Sequence, residues 1–189
     1  MAISNIESIL RHPWDYYRVP KSALGFYEAS TDTDRADIVV AHSFGTLTGE
    51  TSVNRLLADL ALDQADGRPV AADRTLVNAI PDGDKHFDLV VEGPITNLVG
   101  QGVGTYGVLE QVRTFMEGRD LKLALMIAQR RHVGRVMLQA KRLGINSIAP
   151  ANLPSQFEPG SMQLGTRSSA EWLMREVLGA PVLKYQKKL

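Results

Sequence analysis

Four side chains within the stretch 129–135 could do chemistry together: Arg130, Arg131, His132 and Arg135. Guanidinium forks grip phosphate and carboxylate oxygens two at a time. Arg135 is the better anion ligand, because it falls within the first turn of a helix expected over 132–143. Arg130 is the second candidate. Gln139 shares the polar side of that helix with Arg135 and is expected in solvent or capped by the terminal segment. His132 should be held neutral, because the helix dipole and the neighbouring arginines both disfavour imidazolium. A neutral imidazole can take a proton or hydrogen-bond a ligand. Its plainer role is to bond its own loop. Glu92 closes an earlier apolar run. If strands 87–91 and 121–128 are neighbours, its carboxylate faces His132 and can orient it and raise its basicity. An ion pair from Glu92 to Arg130 or Arg135 that merely ties two loops is the alternative.

Two other loops carry small residues. His42, Ser43, Gly45 and Thr46 follow the apolar run 37–41, where a phosphate or carboxylate could come close to the backbone. A plain turn is an equal alternative. The span 92–107 holds five glycines, so it bends sharply or meets a ligand with its backbone. Asn97, Gln101, Gly102 and Gly104 are the ligand candidates there. Gly102, Gly104 and Gly107 match the dinucleotide spacing, but they start ten residues beyond their strand, and no acid ends the strand that follows. NAD binding is rejected on those grounds. A Ser43 nucleophile served by His132 lacks the nucleophile elbow, since Ala41 and His42 precede the serine. There are no cysteines, and His12, His42, His86 and His132 show no paired spacing, so no metal site is evident.

The elements that must position these groups alternate. Apolar runs over 37–41, 87–91 and 121–128 read as strands buried on both faces. Helical spacing predicts helices near 51–65, 105–117, 132–143 and 167–178. Residues 75–80 could be a strand or one or two helical turns, and 147–150 a last short strand. The segment 151–166 reads as a long ordered loop that covers the strand ends. Residues 1–35, with a short helix over 3–17 and a cluster of Trp14, Tyr16, Tyr17, Phe26 and Tyr27, form a leader packed across the sheet. The 184–189 tail is basic and expected to fray. The alternation implies one α/β domain over 1–189, with a parallel sheet of four or five strands and helices on both faces.

Lys plus Arg equals Asp plus Glu at 21 each, so a generally basic nucleic-acid binder is not expected. No apolar run approaches a membrane span, and the first residues do not read as a secretory signal. A cytoplasmic protein is the default expectation. Oligomeric state is open.

The pattern resembles the YdcF/SanA/ElyC-like family, a domain of unknown function. That family has a glutamate, a serine, Asn-Thr and another asparagine, then a strand leading to a histidine with an arginine three residues on. Here these positions hold Glu92, Ile95, Asn97, Leu98 and Gln101, and then His132 and Arg135. His42-Ser43-Phe44-Gly45 stands where the family carries glycines. The resemblance spans roughly residues 36–145 and implies a Rossmann-like fold. It also implies a small ligand at the strand ends, nucleotide-like or S-adenosylmethionine. Several members are membrane-anchored, a role that does not carry over to this chain.

Three functions follow as expectations. The first is a small-molecule-binding protein in which Ser43, Gly45, Asn97, Gln101, Gly102, Gly104, Arg130 and Arg135 line one crevice. There an arginine and the N–H groups at the 132 helix start would hold an anionic group. The second is a hydrolase or transferase using His132 with Glu92. The third is a structural protein with a vestigial crevice.

Overall fold

The computed structural model describes residues 27–45, 49, 52–92, 104–161, 163 and 165–175. Its centre is a sheet of five parallel strands: β1 Ile38–Ala41, β2 Val70–Asp73, β3 Leu89–Val91, β4 Leu123–Ile127 and β5 Asn146–Ile148. Their order is β3-β2-β1-β4-β5, that of a Rossmann-like α/β fold.

β1 is central because all four of its residues are apolar and wholly buried. Such a strand tolerates no solvent on either face. Asp37 fixes its register, since its carboxylate accepts from Lys122 N at 2.8 Å and Leu123 N at 2.9 Å. Helix α1 Val53–Asp63 follows β1, with Ser52 as N-cap accepting from Arg55 N. α2 Arg74–Val77 is one turn started by Asp73, whose side chain accepts from Thr75 N and Leu76 N. α3 Thr105–Gly118 crosses over to β4, and α4 Val133–Arg142 links β4 to β5. α1 touches α2, and α3 touches α4. These pairs make the two covering layers that right-handed crossovers place on opposite faces. A further helix is described over 169–175.

In the span 68–86 the 75–80 run takes the helical-turn alternative, its first residues belonging to α2, while the strand Val70–Asp73 just upstream was not expected. Residues 27–35 are the described part of the expected leader, and of these 27–30 run beside the end of β5. There Ser30 bridges to Pro150 and Tyr27 Oη donates to Pro150 O at 2.9 Å. The expected helix over 3–17, its aromatic cluster before Tyr27, and the 184–189 tail lie outside the described residues. No helix among the described residues is long and apolar enough to cross a membrane.

The chain winds outward from β1 to β3, then crosses back to β4 on β1's other side. The carboxyl ends of β1 and β4 therefore diverge at a topological switch point, where open α/β sheets bind ligands.

Candidate functional site

The loop after β1 spends its N–H groups on protein partners. His42 N donates to Ile127 O at 2.8 Å, Ser43 N to Asp73 Oδ2 at 2.7 Å, and Phe44 N to Asn54 Oδ1 at 2.7 Å. Ser43 is thus a clamp point between β1 and β2. Gly45 sits at φ +89°, and a Cβ there would lie 2.9 Å from both Glu158 Oε2 and Ser161 Oγ. What meets Gly45 is the terminal segment of this chain.

Gln129, fully buried at the end of β4, organises the next turn. Its carbonyl accepts from His132 N at 2.7 Å and Val133 N at 3.0 Å, and its Oε1 accepts from Arg131 N at 2.7 Å. These N–H groups at the start of α4, expected to meet an anion, are taken by Gln129. Its Nε2 reaches the terminal segment, donating to Ser155 O at 3.1 Å and Gln156 O at 3.3 Å. Arg130 is exposed, and its N donates to Pro154 O at 2.7 Å. The Arg131 guanidinium lies 5.8 Å from the rings of Phe157 and Trp172.

Arg135 and Gln139 are not on a solvated helix face. They are only 8% and 2% exposed. α4 is wedged between the sheet and α3, so its buried arc is wider than the stripe that periodicity alone defines. The Arg135 Nη2 lies 3.0 Å from His132 Nδ1. A guanidinium can only donate, so Nδ1 is the acceptor and the ring proton sits on Nε2. That N–H faces Thr105 Oγ1, at the start of α3, at 3.3 Å. Burial, and then the positive charge of Arg135, push the His132 pKa well below its ordinary value. His42, 2% exposed at the end of β1, is pushed down to about 4 by the same two causes in the same order. His42 Nε2 and Gln139 Oε1 have no hydrogen-bond partner among the described residues.

Glu92 is not part of this cluster. β3 is an edge strand, with β2 and β1 between it and β4, so the expected strand neighbours are not neighbours. Glu92 is exposed and pairs with Arg74, whose other partner is Asp84. Arg74 holds the Glu92 carboxyl below its usual pKa. Gly104 is the N-cap of α3, where a Cβ would meet nothing within 4 Å. Asn97, Gln101 and Gly102 lie outside the described residues. The structure therefore brings together His132, Arg135 and Thr105 with His42, and leaves Glu92 and the Arg130 side chain apart.

Asp73 was not anticipated. It is buried at the end of β2, and its carboxyl is pushed above the ordinary value because burial outweighs the N–H bonds from Ser43, Leu76 and Thr75. An aspartate that ends a short apolar run two residues before Thr75 is the capping signal that could have revealed both β2 and α2. Among the described residues no group of three or more His, Cys, Asp or Glu could hold a metal.

Comparison with protein-family models, with curated proteins and with solved structures finds no match.

Proposed function

We propose that this chain binds a small anionic ligand across the carboxyl ends of β1 and β4. A nucleotide-like compound or S-adenosylmethionine is the class that the YdcF/SanA/ElyC-like resemblance suggests. The observation that carries this reading is a buried polar atom at the switch point. His42, at the end of β1, is buried with its Nε2 unpartnered among the described residues, and its ring lies close enough to the Arg135 guanidinium to feel that positive charge. A buried polar atom that forgoes its hydrogen bond costs about 1–3 kcal/mol, and a ligand group can return that. Arg135 supplies the positive charge, and His132 supports it through Nδ1 while presenting a neutral N–H. Binding is favoured over His132–Glu92 catalysis because Glu92 is committed to Arg74, and the His132 nitrogen nearest Thr105 carries a proton.

Calorimetric titration with AMP, inorganic phosphate and S-adenosylmethionine tests this. Arg135→Lys keeps the charge and removes the fork. It should weaken whichever probe binds by about 1.5–3 kcal/mol, the size of a hydrogen bond to a charged group. Equal affinities for wild type and variant would sink the reading.

A further inference from the structure

Arg135, His132 and Thr105 form a relay of hydrogen bonds that runs in one direction only. Arg135 Nη2 lies 3.0 Å from His132 Nδ1, and a guanidinium has no acceptor. His132 Nδ1 therefore accepts, and the single proton of the neutral ring sits on Nε2. Thr105 Oγ1, 3.3 Å from that Nε2, receives the bond with a lone pair. A hydroxyl has one hydrogen. That of Thr105 is directed away from His132 and has no other partner among the described residues.

Burial gives the relay an inner and an outer end. Arg135 is 8% exposed and His132 5%, whereas Thr105, the first residue of α3, is only half-buried. Gly104 beside it is exposed, with open space where a Cβ would stand. A molecule arriving from solvent at this end of β4 reaches the hydroxyl before either buried group.

We propose that Thr105 is the ligand-contacting donor of the switch point: its hydroxyl hydrogen meets an anionic oxygen of the ligand, and Arg135 and His132 act through it as positioning residues. This rests on the anion-binding reading above and names the residue that makes the contact. Each bond in such a series polarises the next, and the low dielectric around Arg135 and His132 strengthens the effect. A neutral hydroxyl thus carries part of a guanidinium's pull to the surface while the charge itself stays out of water. The open end offers a hydrogen, which suits a phosphate or carboxylate oxygen. Protonating His132 would break the relay at its first link, because Nδ1 would then face Arg135 as a second donor. Burial and the Arg135 charge both oppose that proton.

The test uses the full chain, with inorganic phosphate, AMP and S-adenosylmethionine as probes. Thr105→Val keeps the shape of the side chain and removes the hydroxyl, and Thr105→Ser keeps the hydroxyl. Whichever probe binds wild type should bind Thr105→Val about tenfold or more weakly, as a lost hydrogen bond to a charged group requires. Thr105→Ser should restore affinity to near the wild-type value. The proton resonance of His132 Nε2–H should shift when the probe saturates wild type or Thr105→Ser, and should not move in saturated Thr105→Val. If Thr105→Val binds as tightly as wild type, or the resonance is unmoved in saturated wild type, the relay is a structural tie and the proposal is overturned. Should Arg135→Lys still weaken the same probe, anion binding stands without it. If no probe binds wild type, both readings fall. Should Thr105→Val not fold, the wild-type resonance decides alone.

Discussion

His132 is a hydrogen-bond donor rather than a base. Arg135 occupies its Nδ1, so the proton must sit on Nε2. Long-range nitrogen–proton NMR should find this ring neutral and Nε2-protonated at pH 6; an Nδ1–H ring, or titration near 6.5, would contradict the geometry. His42 makes the matching prediction for stability. Its folded pKa of about 4 lies below the ordinary 6.5, so the unfolded chain binds the extra proton. The stability is fully present above pH 6.5 and is lost as pH falls towards 4, and that shift is worth roughly 3 kcal/mol. His132, shifted in the same direction, adds to the loss. Urea unfolding at pH 7, 5.5 and 4.5 should give falling midpoints, and His42→Gln should flatten the fall. Arg135→Ala is also a stability variant, since it leaves His132 Nδ1 buried without its donor. Unfolding free energy should drop by about 1–3 kcal/mol, which denaturant midpoints would register.

At the scale of elements, the terminal segment 153–161 is held in part by one buried amide and one backbone shape. Gln129→Ala removes the bonds to Ser155 O, Gln156 O and Arg131 N. Exchange over 154–157 should rise well before the rest of the sheet opens. Gly45→Ala should cost about 1–3 kcal/mol, because φ +89° strains an L side chain and the new methyl meets Glu158 and Ser161. A thermal midpoint equal to wild type would remove Gly45 as a seat for the terminal segment. The sequence made some of these elements plain and hid others for physical reasons. β1, β4, α1, α3 and α4 were legible because long apolar runs and helical spacing survive in any tertiary setting. β2 was not, since Val-Ala-Ala-Asp has a single β-branched residue and only four positions. Arg135 and Gln139 looked solvated because α4 is wedged between the sheet and α3, and α3 is remote in sequence. The separation of Glu92 from His132 depends on strand order, which composition and periodicity do not encode. That 151–166 would cover the strand ends was legible, but the bond from Val53 N, at the start of α1, to its buried Glu158 was not.

For the whole molecule, the equal count of acidic and basic groups leaves no general field, so any anion specificity has to be local to the switch point. The sheet order carries a consequence for synthesis. β1 is made well before one of its two partners, since β4 lies about 86 residues later, as the register Ile38↔Ala124 measures. Until Ile127 has left the ribosome, the most apolar strand of the chain keeps an open hydrogen-bonding edge. Loop closure over that distance is slow as well as late. A nascent chain ending at residue 92 should therefore stay sensitive to protease and recruit holding chaperones, whereas one ending at residue 150 should resist digestion across 38–72. Glu158 emerges later still, so the central sheet is complete before the terminal segment can reach α1, and a newly made molecule passes through a moment when its crevice stands open.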